Sequence, residues 1–168
     1  MDQLGIGAIN QCTTSGLLTT TGAETVHDTT VTICYSLDGK QLTKTAITNG
    51  VTPTTDHNTG AAFTALIGGN SVANTPGQGT VVVWGLQSDG TVKCAMGTIE
   101  DLDMDDDFVN APDFPAIKGD IVPFAYTIYK AGATAGVSNI WGTTNWNATG
   151  VTATEVNIGR LPNRPQTS

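Results

Sequence analysis

The sequence predicts an all-β protein, a single antiparallel β-sandwich or barrel with a jelly roll as one such arrangement, and extended N- and C-terminal arms. Three observations predict it. The 168 residues include 29 Thr and 20 Gly, which are poor helix formers. No segment repeats apolar residues at helical spacing over three turns. Several runs instead alternate apolar with polar residues and end in Asp-Gly or a similar turn pair. The length predicts one domain, residues 1–168.

The first predicted hairpin spans residues 29–47. Within residues 29–37, alternate positions from 31 onwards are apolar (Val31, Ile33, Tyr35 and Leu37), which indicates a strand with one buried face. Asp38 and Gly39 follow, and residues 41–47 form a second run that is compatible with a strand. An Asp-Gly pair between two such runs favours a two-residue turn in which both residues have positive φ.

The second predicted hairpin spans residues 79–99. Its first strand, 79–87, is centred on the apolar run Val81 to Trp84, and residues 88–90 (Ser-Asp-Gly) form the turn. The returning strand, 91–99, places Val92, Cys94 and Met96 on one face.

Two further strands are predicted near the C-terminus. Residues 121–129 form one, and Pro123 indicates that it lies at a sheet edge or begins after the proline, because proline lacks the N–H that a ladder needs. Residues 151–158 form the last strand. Residues 61–67 suit either one helical turn or a short strand.

Long polar loops and two arms complete the chain. Residues 49–60, 68–79 and 132–149 are longer than usual connections, and long loops are common sites of contact. Residues 1–16 are predicted to be an N-terminal arm. Residues 160–168 are predicted to be an extended C-terminal arm, since each of its two prolines disfavours helix in the residue before it.

Charge and cysteine content exclude several classes of protein. Seven Lys plus Arg face fifteen Asp plus Glu, a net charge of −8, so the chain is predicted to bind neither nucleic acid nor an anionic membrane. Residues 1–9 lack the features of a secretory signal. Three cysteines without a CxxC pair predict neither a disulfide framework nor a zinc site, which is typical of a protein made in a reducing cytoplasm.

The densest cluster of charge is residues 100–107, with six carboxylates in eight residues. Asp101, Asp103 and Asp105 match the first three ligand positions of a calcium-binding EF-hand loop. The match then fails, because Asp106 replaces the required Gly and Pro112 the required Glu. A looser cation site is one hypothesis; a solvated acidic loop or a docking surface for a basic partner is the favoured one. No cofactor is predicted.

No catalytic constellation is evident. Two histidines stand beside aspartates, as His27-Asp28 and Asp56-His57, but neighbours on a strand point to opposite faces. We expect both histidines to be surface or turn residues and the protein not to be an enzyme. A small β-sandwich hydrolase would need a carboxylate pair such as Asp101 and Asp103.

Trp141 and Trp146 lie in a loop of Gly, Thr and Asn residues. Exposed tryptophans in such a loop form sugar-binding platforms or anchor protein partners. The alternative is that the two rings cover one end of the β structure.

Three stretches resemble small β-rich structural proteins of tailed bacteriophages. They are residues 110–126 (NAPDFPAIKGDIVPFAY), 141–146 (WGTTNW) and 159–165 (GRLPNRP), and with the 81–99 hairpin the resemblance spans residues 79–166. By size and arms the chain is most similar to head decoration (cement) proteins. The resemblance implies a location on the outer surface of the head, synthesis in the bacterial cytoplasm, the major capsid protein as partner, and a homotrimer.

On this hypothesis the arms and the tryptophans make the partner contacts. The predicted contact residues are Leu4, Ile6, Ile9, Leu17, Trp141, Trp146, Arg160, Leu161 and Arg164. The alternative is a tail or fibre module in which the two tryptophans and the Thr/Asn-rich loops bind a host glycan.

Overall fold

A computed structural model describes residues 10–20, 25–70, 72–136 and 138–158. These residues contain eleven β-strands and no helix, so the all-β prediction is confirmed. The strands are β1 (Gln11–Thr14), β2 (Leu18–Thr20), β3 (Val26–Thr29), β4 (Ile33–Leu37), β5 (Lys40–Lys44), β6 (Gly50–Val51), β7 (Gln78–Leu86), β8 (Val92–Met96), β9 (Glu100–Asp101), β10 (Val122–Ala131) and β11 (Val151–Asn157).

The strands form three antiparallel sheets. The largest has the order β11-β10-β7-β8, with β9 paired to one end of β7. Two smaller sheets have the orders β1-β4-β5 and β2-β3-β6. The sheets do not close into a barrel, and their arrangement is that of a β-sandwich.

The first hairpin forms around the predicted turn. β4 and β5 pair from Ile33↔Lys44 to Leu37↔Lys40. Asp38 and Gly39 both have positive φ, 50° and 75°, as a two-residue turn between twisted strands requires. The predicted first strand is divided, however: β3 ends at Thr29, and β4 begins only at Ile33.

The second hairpin, β7 with β8, also forms as predicted, and its first strand is buried on both faces. Val82 and Trp84 face the main core, whereas Val81 and Val83 face a smaller cluster that includes Phe114. Burial on both sides explains the continuous apolar run, because a strand with one wet face would alternate.

The prediction that Pro123 lies in an edge strand or precedes the strand is wrong, since β10 begins at Val122 and lies between β7 and β11. The proline is tolerated because the described pairing of β10 with β11 begins only at Ala125↔Asn157, two residues after Pro123. The pairing with β7 also shifts register between Pro123 and Ala125. This bulge places both Phe124 and Ala125 in the main core.

The main core lies between the large sheet and the two smaller ones. Cys12 of β1, Leu18 of β2, Tyr35 of β4 and Trp84 of β7 all belong to it, so every sheet contributes to one cluster. The irregular segment 132–149 covers one side of this core with Trp141 and Trp146.

The prediction of an N-terminal arm over residues 1–16 needs correction in its described part. β1 pairs with β4 from Gln11↔Ser36 to Thr14↔Cys34, and Cys12 is buried, so residues 11–14 are an integral strand. The predicted C-terminal arm lies outside the described residues. Residues 61–67 form neither a helical turn nor a regular strand; Ala62 and Leu66 make isolated bridges to Thr55 and Asn139.

Candidate functional site

The indole rings of Trp141 and Trp146 are buried, with exposures of 0% and 6%. Their ring centroids lie 5.0 Å apart, and Trp141 also contacts Trp84 at 5.3 Å and Tyr129 at 5.4 Å in edge-to-face geometry. The prediction that these two side chains contact a partner at the surface is therefore wrong. The alternative interpretation, rings that cover part of the β structure, fits their position.

Hydrogen bonds fasten this aromatic cluster to the sheets. Trp84 Nε1 donates to Thr127 Oγ1 at 2.8 Å, and Trp146 Nε1 donates to the Val26 carbonyl at 2.8 Å. The second bond ties segment 132–149 to β3. Burial raises the pKa of the Tyr129 hydroxyl to about 12 and that of the Cys94 thiol well above its ordinary value, so both groups stay protonated.

The expectation of surface histidines is wrong for His27. Its side chain is buried on β3 and packs against Trp84, with ring centroids 4.8 Å apart. Nδ1 lies 3.5 Å from Thr52 Oγ1, and Nε2 has no hydrogen-bond partner of ordinary geometry. Burial lowers the pKa of His27 to about 4, so the ring is neutral near pH 7.

Asp56 and His57 have separate structural roles rather than a shared catalytic one. The buried Asp56 carboxylate accepts hydrogen bonds from the backbone N–H groups of Asn58, Thr59 and Met96. His57 Nε2 lies 2.9 Å from Asp120 Oδ1, and this hydrogen bond holds the pKa of Asp120 below its ordinary value. The Asp56 bonds attach a loop to the outer edge of β8.

A shallow groove follows this edge. Two adjoining depressions of about 330 and 340 Å³ share Asp56, Thr59, Met96 and Gly97, and Phe63 and Phe114 line one each. The carboxylate in the groove is that of Asp56, whose oxygens are already bonded to the backbone. The groove therefore lacks a converging set of reactive side chains among its described lining residues.

The acidic segment 100–107 forms a closed loop in which carboxylates bind backbone groups. Asp103 Oδ1 accepts from the N–H groups of Asp105 and Asp107, each at 2.9 Å. Asp106 Oδ1 accepts from the Ala133 N–H at 2.8 Å, and Lys130 Nζ donates to the Asp106 carbonyl at 2.7 Å. No group of three or more potential metal ligands converges among the described residues, Asp101, Asp103 and Asp105 included.

Several large apolar side chains lie on the surface instead of in the core. One set stands where segments 67–77 and 100–110 meet, and includes Val72, which is 96% exposed, and Val109, which is 63% exposed. A second set, Leu17 and Val31, lies just after the end of β3, where the Val31 N–H donates a hydrogen bond to the Gly16 carbonyl. The exposed large apolar residues are Leu17, Val31, Val51, Ile67, Val72, Met104 and Val109.

Among the predicted contact residues, Leu17 is 51% exposed and has φ 53°, so its side chain is available to a partner. Leu4, Ile6, Ile9, Arg160, Leu161 and Arg164 lie outside the described residues.

Sequence reasoning missed two features, and each had a signal. Val72 and Val109 are isolated β-branched residues in polar loops, where apolar side chains have no local reason to occur. His27 has the alternate spacing of the buried residues Thr29 and Ile33, but Val31 between these two is 40% exposed, so the alternation was an incomplete signal of its burial.

Comparison of the chain with protein-family models, curated proteins and solved structures found no match. Over the residues it describes, the structure has no helix that is long and apolar enough to cross a membrane. The structure supports the fold class, a β-sandwich.

Proposed function

We propose that this chain is a virion structural protein of a tailed bacteriophage, a decoration protein that binds the major capsid protein and stabilises the outer surface of the head. The observation that carries the proposal is the set of exposed apolar side chains on a well-packed β-sandwich, with Val72 at 96% exposure. Exposed apolar side chains mark a protein-binding site where they gather in one patch. Four of them lie in segments 67–77 and 100–110, which meet at one end of the large sheet: Ile67, Val72, Met104 and Val109. The resemblance of residues 79–166 to phage structural proteins supports the same class.

Loops 67–77 and 100–110, which we call the contact loops, suit a clamp between neighbouring subunits. Backbone hydrogen bonds hold their described parts to neighbouring segments, as between Gly69 N–H and the Gly132 carbonyl at 3.0 Å. A surface that is ordered before binding loses less conformational entropy when it docks. On this proposal the protein is not an enzyme, and its activity is the stabilisation of an assembly.

The test uses purified heads and tails of the phage that encodes the chain. The recombinant protein is mixed with each, sedimented and quantified, and head-bound protein is located by electron microscopy. We expect saturable binding to heads, a trimer in solution by sedimentation equilibrium, and a higher temperature of DNA release from decorated heads. Sedimentation with tails alone, or with neither particle, would contradict the proposal.

The alternative was a tail or fibre module that binds a host glycan through Trp141 and Trp146. Since both rings are buried, no described observation favours that function. A glycan array is a suitable control, on which we expect no binding above background.

A further inference from the structure

Both contact loops at one end of the large sheet are anchored to the same short stretch of chain. Gly69 N–H donates to the Gly132 carbonyl, and Ala133 N–H donates to Asp106 Oδ1. The loops also touch through Leu102 N–H, which donates to the Gly77 carbonyl at 2.9 Å. Segments 67–77 and 100–110 therefore stand side by side, and together we name them the acidic end.

Hydrogen bonds of the described residues lie on both sides of Val72 in the first loop of the acidic end. Asn70 and Thr75 exchange backbone hydrogen bonds of 2.7 and 2.9 Å and so close the loop. Asn70 Oδ1 accepts from the Val72 and Ala73 N–H groups, each at 3.0 Å. An almost fully exposed valine thus lies in a turn that is closed by hydrogen bonds between Asn70 and Thr75.

The second loop places Met104 and Val109 beside the carboxylates. Asp103 N–H donates to the Asp107 carbonyl at 2.7 Å, and Val109 N–H donates to the Asp101 carbonyl at 3.0 Å. Ile67, next to the first loop, joins them because its N–H donates to Gln78, which also contacts Asp101. Four exposed apolar side chains therefore share this end of the sheet.

The charge of the acidic end indicates which kind of partner surface would complement it. Residues 100–107 carry six carboxylates, and the nearby cation is Lys130, whose Nζ lies 3.8 Å from Asp107 Oδ1. A neutral or acidic partner surface would leave these carboxylates without compensating charge at the contact. A surface with Lys or Arg around apolar pockets would complement both the charges and the exposed side chains.

We propose that the acidic end is the docking surface of this protein, and that it binds a protein surface on which Lys and Arg side chains surround apolar pockets. This inference rests on the proposed function, since it identifies the partner surface as part of the phage head. Val72 and Val109 enter the pockets, and Asp101, Asp105 and Asp107 face the cations.

The experiment compares head binding of the unaltered protein with four variants. Val72→Asp and Val109→Asp each put a charge where an apolar contact is expected, and each weakens binding about tenfold or more. Asp105→Asn removes one charge and weakens binding about two- to fivefold at low salt. Val51→Asp, at a valine of β6 that is 81% exposed and lies outside the acidic end, is the matched control and leaves binding unchanged. Thermal unfolding of each variant verifies that it folds.

The outcomes separate this inference from the proposed function. No binding of the unaltered protein to heads contradicts both. Head binding that survives both Val72→Asp and Val109→Asp, or that is lost equally in Val51→Asp, overturns the inference and leaves the function standing. A self-association of the chain that Val72→Asp abolishes would show a second copy as the occupant, which also overturns it.

Discussion

At the scale of single residues, His27 carries the clearest consequence for solution behaviour. Its ring is buried against Trp84, and a carbon added at Gly50 would lie 2.9 Å from His27 Nε2, so the ring has little room to reach water. Asp28 favours the charged ring and Lys44 opposes it, but burial has the larger effect, and the pKa falls from 6.5 to about 4. Protonation therefore favours the unfolded chain.

The first prediction follows from this shift. Since the unfolded pKa exceeds the folded one, stability is complete above pH 6.5 and declines as the pH falls towards 4, by about 3 kcal/mol at pH 4. Urea unfolding between pH 7.5 and 4 measures the decline. In His27→Gln we expect most of it to disappear; an equal decline in that variant would show that groups other than His27 cause it.

A second prediction concerns the three tryptophans, Trp84, Trp141 and Trp146, all of which are buried. Water and soluble quenchers reach buried rings poorly. We expect a blue-shifted native emission spectrum that iodide quenches weakly, and efficient quenching after unfolding in guanidinium. Strong native quenching would indicate that the 132–149 segment does not cover the core.

At the scale of elements, the β4–β5 hairpin shows what local sequence decides. The turn at Asp38 and Gly39 is predictable from these two residues alone. A two-residue turn needs positive φ at both positions, and only a few residue types adopt positive φ readily. The break between β3 and β4 is not predictable from the sequence, because residues 29–33 keep the alternation of a continuous strand. The break arises because β3 pairs with β2 and β6, in a different sheet from β4.

The third prediction tests this turn. Gly39→Ala places a Cβ at φ 75° and should lower the free energy of unfolding by about 1–2 kcal/mol. Gly119→Ala is the matched control, since nothing lies within 4 Å of a Cβ there, and it should change stability by less than about 0.5 kcal/mol. Urea titrations measure both; equal effects would show that the turn is not strained.

At the scale of the whole molecule, the three sheets share one core. Cys12, Leu18 and Trp84 come from different sheets and belong to the same cluster. The hydrogen bond from Leu18 N–H to Asn157 Oδ1, at 2.7 Å, further joins the β2 sheet to the large one. No sheet is therefore expected to unfold independently.

The fourth prediction is cooperative unfolding. Far-ultraviolet circular dichroism and tryptophan fluorescence should give the same transition midpoint. Leu18→Ala should lower both together, by about 2–5 kcal/mol, because it opens a cavity in the shared core. The neighbouring Leu17→Ala, at an exposed residue, is the control and should have little effect. Separate transitions for the two probes would contradict a single core.

The sequence by itself determined the fold class, both hairpins and the last strand. Alternation and turn residues act over a few positions, and such local signals survive in any tertiary setting. It also located the acidic segment. Only the tertiary structure decided which side chains are inside: Trp141, Trp146 and His27 are buried because segment 132–149 and β3 close over Trp84. Burial depends on distant packing partners, and so does the meeting of two separate loops at the acidic end.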